Sequence, residues 1–334
     1  MIWASTVALG RIEQEECDQG ESMVNSQGRS RKRLLQRLAN VRAGLPESFK
    51  GRLRPLRDKP VAVWHRHVYP GFARRLRRYD AANLPAVSIV LVTYNRLRML
   101  RECLTSLLEK TRDVTFEVIV WDNASEDGTR EYLDDIAAAH EEIRVIHSPR
   151  NVGLNGVALS VKLARGFYLV ELDDDVVRFP DDWLGKMLRA FKAVPKAGYL
   201  AANVVQDELT DGNKFSSEHY TPVDYGGIVL EHGPTWGWCT MTSLEVMSRV
   251  GNFPRRRGRV FFCEDGDYGR RCTEAGFTLG IVQDVVVYHA AGAAANDDYG
   301  YLDLCLQKYS DGPEYVNKYS RTKRYVENRD TSDT

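Results

Sequence analysis

Residues 87–110 read VSIVLVTYNRLRMLRECLTSLLEK. The opening run, VSIVLVTY, is apolar and β-branched and stops at a turn, as expected of a strand buried on both faces. From Arg96 to Lys110 the leucines at 97, 100, 104, 107 and 108 recur at helical spacing. The same unit then repeats along the chain. FEVIVWD (116–122), IRVIH (143–147) and FYLVELD (167–173) read as strands, and 128–140 and 153–165 read as helices. Such alternation predicts an α/β fold with a Rossmann-like, mainly parallel sheet and helices on both faces. In these sheets ligands bind beyond the carboxyl ends of the strands. There the chain places Thr93-Tyr94-Asn95, Asp122-Asn123 and Asp173-Asp174-Asp175. No glycine-rich loop follows the first strand, which excludes the P-loop and dinucleotide-binding readings.

Beyond Asp175 the pattern loosens. A helix is expected over 181–193, a strand near 198–205, a helix near 243–250 and two strands near 277–282 and 285–289. Between them lies a stretch rich in Gly, Trp and His, 219–240. Four regions follow: a leader without regular structure (1–30), a basic helical arm (31–84), the α/β domain (85–292) and a C-terminal extension (293–334), to which the sequence assigns no role.

Net charge is zero, yet Arg29 to Tyr79 holds sixteen Lys and Arg against two acids, leaving 30 basic and 44 acidic residues elsewhere. The arm reads equally as a solvated helix packed on a neighbour or as a surface for anionic lipid headgroups through residues 31–80. Nucleic acid is not expected as a partner. No run of eighteen apolar residues occurs, so no membrane span is predicted. Met1 to Gly10 lacks a basic start and a cleavage site, so no secretory signal is expected. Six scattered cysteines without metal spacing fit a reduced, cytoplasmic setting, peripheral to the membrane's inner face if the arm binds lipid.

Three aspartates ending an apolar strand repel one another unless a cation sits among them. Asp173 and Asp175, with one residue between them, suit a hard divalent ion, Mn2+ or Mg2+, that also meets a diphosphate. The plainer alternative is a solvated turn capping the next helix. His289, ending the strand VVVYH, is the candidate third ligand. A second acidic group, Glu264-Asp265-Gly266-Asp267, either begins a helix favourably or turns one carboxylate into the cleft as a general base.

Five segments now line up: SIVLVTYNRLRMLRECLTSL, VIVWDNASEDGT, NVGLNGVALSVKLARGFYLVELDDDV, VGNFPRRRGRVFFCEDGDYGRRCTEAGF and VVYHAAG. In order and spacing they resemble the family 2 glycosyltransferases of GT-A fold, the rhamnosyl- and galactofuranosyl-type polysaccharide builders among them, across residues 87–292. The resemblance implies a nucleotide-sugar donor bound by Thr93, Tyr94, Asn95, Asp122, Asn123, Ser125, Asn151, Gly153, Asp173, Asp174 and Arg271. It implies a metal on Asp173, Asp175 and His289, and Asp265 as catalytic base with Glu264 beside it. Trp236 and Trp238 fall where the acceptor pocket is shaped. Gly266 and Gly269 interrupt what is a helix in the family, each costing about 1 kcal/mol relative to alanine, and point to a looser turn.

The expected activity is inverting transfer of a sugar from UDP or dTDP to a hydroxyl of a glycan or lipid-linked glycan. A sugar-1-phosphate nucleotidyltransferase would carry a glycine-rich loop where this chain has TYNRLRML. A non-catalytic nucleotide-sugar-binding protein would be marked by lost aspartates, and all are present.

Overall fold

A computed structural model describes residues 70–207, 210, 214–310 and 320–327. Apart from Pro70, these fall in the second of two compact units, Gly71–Thr334. The expected leader and residues 31–69 of the basic arm, with most of the lipid-facing reading, lie outside the described residues.

The strand–helix alternation is realised in order. Helix α1 (Pro70–Arg78) leads into β1 (Val87–Thr93), α2 (Leu97–Lys110), β2 (Phe116–Asp122), α3 (Thr129–Ala139), β3 (Ile143–His147), α4 (Asn155–Leu163) and β4 (Tyr168–Asp173). The four strands run parallel in the order β3-β2-β1-β4. Strand order therefore reverses between β1 and β4. Right-handed crossovers put α4 on the face opposite α2 and α3, and open a crevice at the carboxyl ends of β1 and β4. Thr93 and Asp173 stand at those ends.

Strands β1 and β2 read as apolar runs because they have no wet face: Ile89, Val90, Leu91, Val118, Ile119 and Val120 are all 0% exposed. On α2, Leu100, Leu104 and Leu107 are equally buried, each worth about 1.5–3 kcal/mol over exposure.

The second half adds β5 (Val176–Arg178), α5 (Trp183–Ala193), β6 (Ala197–Val204), β7 (Thr221–Asp224), β8 (Val229–His232), β9 (Cys239–Ser243), α6 (Leu244–Val250), α7 (Glu264–Glu274), β10 (Thr278–His289), α8 (Ala293–Asp298) and α9 (Leu302–Ser310). The sheet continues β4-β9-β6-β10-β8-β7, with β9 antiparallel to both neighbours and β5 paired to β10. It is a mixed, mainly parallel sheet of the GT-A kind. The two strands expected at 277–289 are one: β10 keeps pairing with β6 through a register shift between Val282 and Val286. The looser turn expected at Gly266 and Gly269 is instead the continuous helix α7. A Cβ at Gly269 would come within 3.3 Å of Leu279 on β10, so close packing explains that glycine.

Candidate functional site

The crevice is floored by the tip of β4. Asp173, Asp175 and His289 offer one ligand atom each, all within 4.8 Å of one another. The His289 Nε2 lies 2.9 Å from Asp175 Oδ1 and 3.5 Å from Asp173 Oδ2. Strand β10 brings the imidazole there because its last residue pairs across Val176 of β5, directly after the aspartates. His289 and Asp175 are 7% and 6% exposed, whereas Asp173 is 46% exposed and opens the cluster to solvent.

A fourth participant escaped the sequence reading. Arg96 is buried in the same place, its Nη1 3.1 Å from Asp174 Oδ1 and 2.8 Å from Asp175 Oδ2. Asp174 also accepts from Thr93 Oγ1 at 2.8 Å. Thr93 and Asp174, both expected to bind the donor, are turned inward at 1% and 6% exposure. Arg96 occupies one oxygen of Asp175 and leaves the other facing His289, so the donor set presents one oxygen from each of two aspartates and one ring nitrogen. That set fits a small divalent ion.

Charges follow this geometry. Burial alone would raise the Asp175 carboxyl, but His289 and Arg96 hold it well below the carboxylate range. Asp174, where burial outweighs Arg96, is pushed up to about 6. Burial would lower His289, yet the two aspartates carry it up to about 9.

The second acidic group faces the first through Glu171 on β4 and Gly237, just before β9. Gly237 donates its amide to Asp265 Oδ2 at 3.0 Å, and Gly266 donates to Oδ1 at 2.7 Å. A Cβ at Gly237 would lie 3.0 Å from the Glu171 carboxyl and 3.2 Å from the Asp265 Cβ, so this glycine is what lets the two acids approach. Glu171 is buried on β4 and takes a hydrogen bond from the Tyr199 hydroxyl. Burial, then Asp265, push Glu171 and Glu264 well above the usual range, and Asp173 adds to both. Asp173, Glu171, Glu264 and Asp265 are thus one electrostatic group. Glu264 is 6% exposed and its Oε2 has no partner.

The remaining expected donor residues form the loops after β1, β2 and β3. Asp122 is fully buried, with Oδ1 accepting from Ser125 N at 2.9 Å and Oδ2 3.0 Å from His147 Nδ1. Asn95 bridges two of these loops: its amide donates to Ser125 Oγ at 2.9 Å and its Oδ1 accepts from Glu126 N at 2.8 Å. Asn123 Oδ1 accepts from Val152 N at 3.0 Å, and Asn151 Oδ1 from Gly153 N at 2.8 Å. Tyr94, Asn95, Ser125, Asn151 and Gly153 are half-buried and keep part of their surface open.

Two of the expected residues are engaged within the fold. Arg271 spends its guanidinium on Asp267 and on the Val250 and Asn252 carbonyls, tying α7 to the end of α6, so it is not presented to a donor. Trp238 is 2% exposed, its indole N–H donating to Ala202 O at 2.9 Å, so it has no face for an acceptor. Trp236, stacked on it at 6.1 Å, stays half-buried and packs edge-on against Phe215.

The sequence profile of glycosyl transferase family 2 matches residues 88–249. The protein EpsH of Bacillus subtilis (strain 168), which bears a provisional glycosyltransferase name, is 33% identical over 262 residues, covering 74% of each chain. The chain belongs to glycosyl transferase family 2. A chondroitin synthase of Escherichia coli is 34% identical over 116 residues, 34% of this chain but only 17% of that protein. Among solved structures, GalNAc-T7 with UDP, GalNAc and Mn2+ matches with a TM-score of 0.50 at 16% identity, over 63% of this chain and 44% of that one. That likeness is one of fold. This family 2 glycosyltransferase is an enzyme whose described residues include no helix long and apolar enough to cross a membrane.

Proposed function

We infer that the chain transfers a sugar, with inversion, from a nucleoside diphosphate donor of the UDP or dTDP kind to a hydroxyl of a glycan or lipid-linked glycan. The observation that carries this reading is the single acidic group that runs from the Asp173–Asp175–His289 cluster through Glu171 to Asp265. Asp173, Asp175 and His289 would hold Mn2+ or Mg2+, which supplies positive charge to the departing diphosphate. Asp265, oriented by the Gly237 amide, takes the acceptor proton as the hydroxyl oxygen bonds to the anomeric carbon. The anomeric carbon's bond to the diphosphate oxygen breaks in the same displacement, and the nucleoside diphosphate leaves. Glu171 and Glu264, pushed by burial towards their neutral forms, do not add full repulsion beside the base. Tyr94, Asn95, Ser125, Asn151 and Gly153 line the nucleotide end, with Asp122 and Asn123 holding its loops. Trp236 offers the acceptor side an aromatic edge.

Calorimetric titration with UDP and dTDP in the presence of Mn2+ tests the donor half. Binding should weaken by about tenfold or more in Asp173→Ala and Asp175→Ala and with EDTA. Nucleotide binding indifferent to EDTA would remove the metal from the reading. Asp265→Asn should keep nucleotide binding and lose donor turnover by about a hundredfold or more, and full turnover in that variant would place the base elsewhere.

A further inference from the structure

Between α6 and α7 the chain reads NFPRRRGRVFF, 252–262. Arg255, Arg256, Arg257 and Arg259 are exposed together on this segment, and among the described residues the first three have no ion pair. The rest of the chain outside 29–79 is acidic, 44 acids against 30 bases, so four arginines in five residues are not the background. Like charges this close repel one another, and an anion seated among them would relieve that repulsion.

The loop is built rather than loose. Asn155, at the start of α4, donates its Nδ2 to Arg259 O at 2.8 Å and to Arg256 O at 3.3 Å, and its Oδ1 accepts from Arg256 N at 2.8 Å. Leu154 N donates to Val260 O at 2.8 Å. Within the loop Arg259 N bonds Arg256 O at 3.3 Å across Gly258, whose φ of +77° closes the turn. The arginines are therefore displayed from backbone pinned to Leu154 and Asn155 at the start of α4, with the Val260 carbonyl packed against Gly153, and the chain reaches Asp265 six residues after Arg259.

Resting on the transferase reading above, we propose that this turn is an acceptor subsite for an anionic saccharide, one carrying phosphate or carboxylate next to the sugar that reacts. Guanidinium forks match both groups bidentately. An anionic acceptor nearing the base meets the Asp265 carboxylate, and Arg255, Arg256 and Arg257 give its charge a place to rest while its hydroxyl reaches the base. The donor's diphosphate has its own provision at the β4 tip, which leaves these three arginines unclaimed.

The test uses the full chain and three labelled oligosaccharides of similar length: an oligogalacturonate, a phosphorylated mannan fragment and maltohexaose. Binding is read by fluorescence anisotropy with UDP and Mn2+ present, at low and high salt. The charged probes should bind about tenfold or more tightly than maltohexaose and weaken with salt. Whichever of the two binds more tightly identifies carboxylate or phosphate as the source of charge. Arg255→Gln/Arg256→Gln/Arg257→Gln should lose that advantage, and the triple lysine variant should recover part of it. Removing the same charge elsewhere, in Arg77→Gln/Arg78→Gln/Arg112→Gln, should not. Equal binding of maltohexaose, equal loss in both charge-removal variants, or loss of UDP affinity in the 255–257 variant would each overturn the subsite. Failure of UDP to bind the wild-type chain would instead strike the transferase reading itself.

Discussion

Truncating Arg96 would strand two aspartates that have almost no contact with water. Asp174 and Asp175 are 9% and 6% exposed at their side chains, and the guanidinium is the cation within 3.1 Å of both. Breaking a buried pair by removing one partner costs about 3–5 kcal/mol. Arg96→Ala should therefore lose about that much stability in urea denaturation with EDTA present, and Arg96→Lys distinctly less. A variant as stable as wild type would show that the aspartates had found water. The sequence hid Arg96 because a lone arginine after a strand looks like any surface base. Glu171 was legible in principle, as a charge inside the apolar run FYLVELD that nothing nearby in sequence neutralises. Its partner, Tyr199, lies two strands away in the sheet.

At the scale of elements, the loop before α4 carries the clearest constraint. Gly153 has φ +58°, and a Cβ there would fall 1.6 Å from the Val260 carbonyl oxygen. Gly153→Ala must pay the left-handed cost of about 1–2 kcal/mol and also push the arginine turn away. Gly276→Ala, with φ +79° and open space around it, pays the backbone cost alone. Thermal unfolding should rank the first variant well below the second, and only the first should weaken UDP binding. Equal melting temperatures would mean the turn yields freely. Elements differed in how plainly the sequence announced them. Strands β1, β2 and β4 are buried on both faces along their centres and so read as apolar runs. By contrast β9, CTMTS, is equally buried but hides behind threonines whose hydroxyls bond inward, Thr242 to Tyr268 and Thr240 to the Trp236 carbonyl. Strand β7 is exposed throughout and offers no pattern at all.

Across the whole molecule, the strand starts are tied together at the end of the sheet opposite the aspartates. Glu117, 1% exposed at its side chain, accepts from Ser88 Oγ at 2.6 Å, Arg165 N at 2.6 Å, Arg165 Nε at 2.9 Å and Arg144 Nη1 at 2.8 Å. Burial opposes ionisation, but these four donors hold the carboxyl below its usual value. A depressed folded pKa gives stability that is present above the unfolded value and is lost as pH falls through the folded one. Glu117→Gln should thus cost about 1–3 kcal/mol at pH 7, with the gap to wild type closing below about pH 4. A gap constant from pH 7 to pH 3 would remove the charge from the explanation.

His289 meets Asp175 across 114 residues of chain, and Arg96 reaches Asn296 across 200. A ribosome making this protein therefore releases the aspartates long before their imidazole partner leaves the exit tunnel. Nascent fragments stopped short of residue 289 would own both carboxylates and still lack the completed chelate. On the metal reading proposed above, protection from proteases by an added divalent ion should accordingly switch on late in synthesis, making cation capture a readout of finished folding.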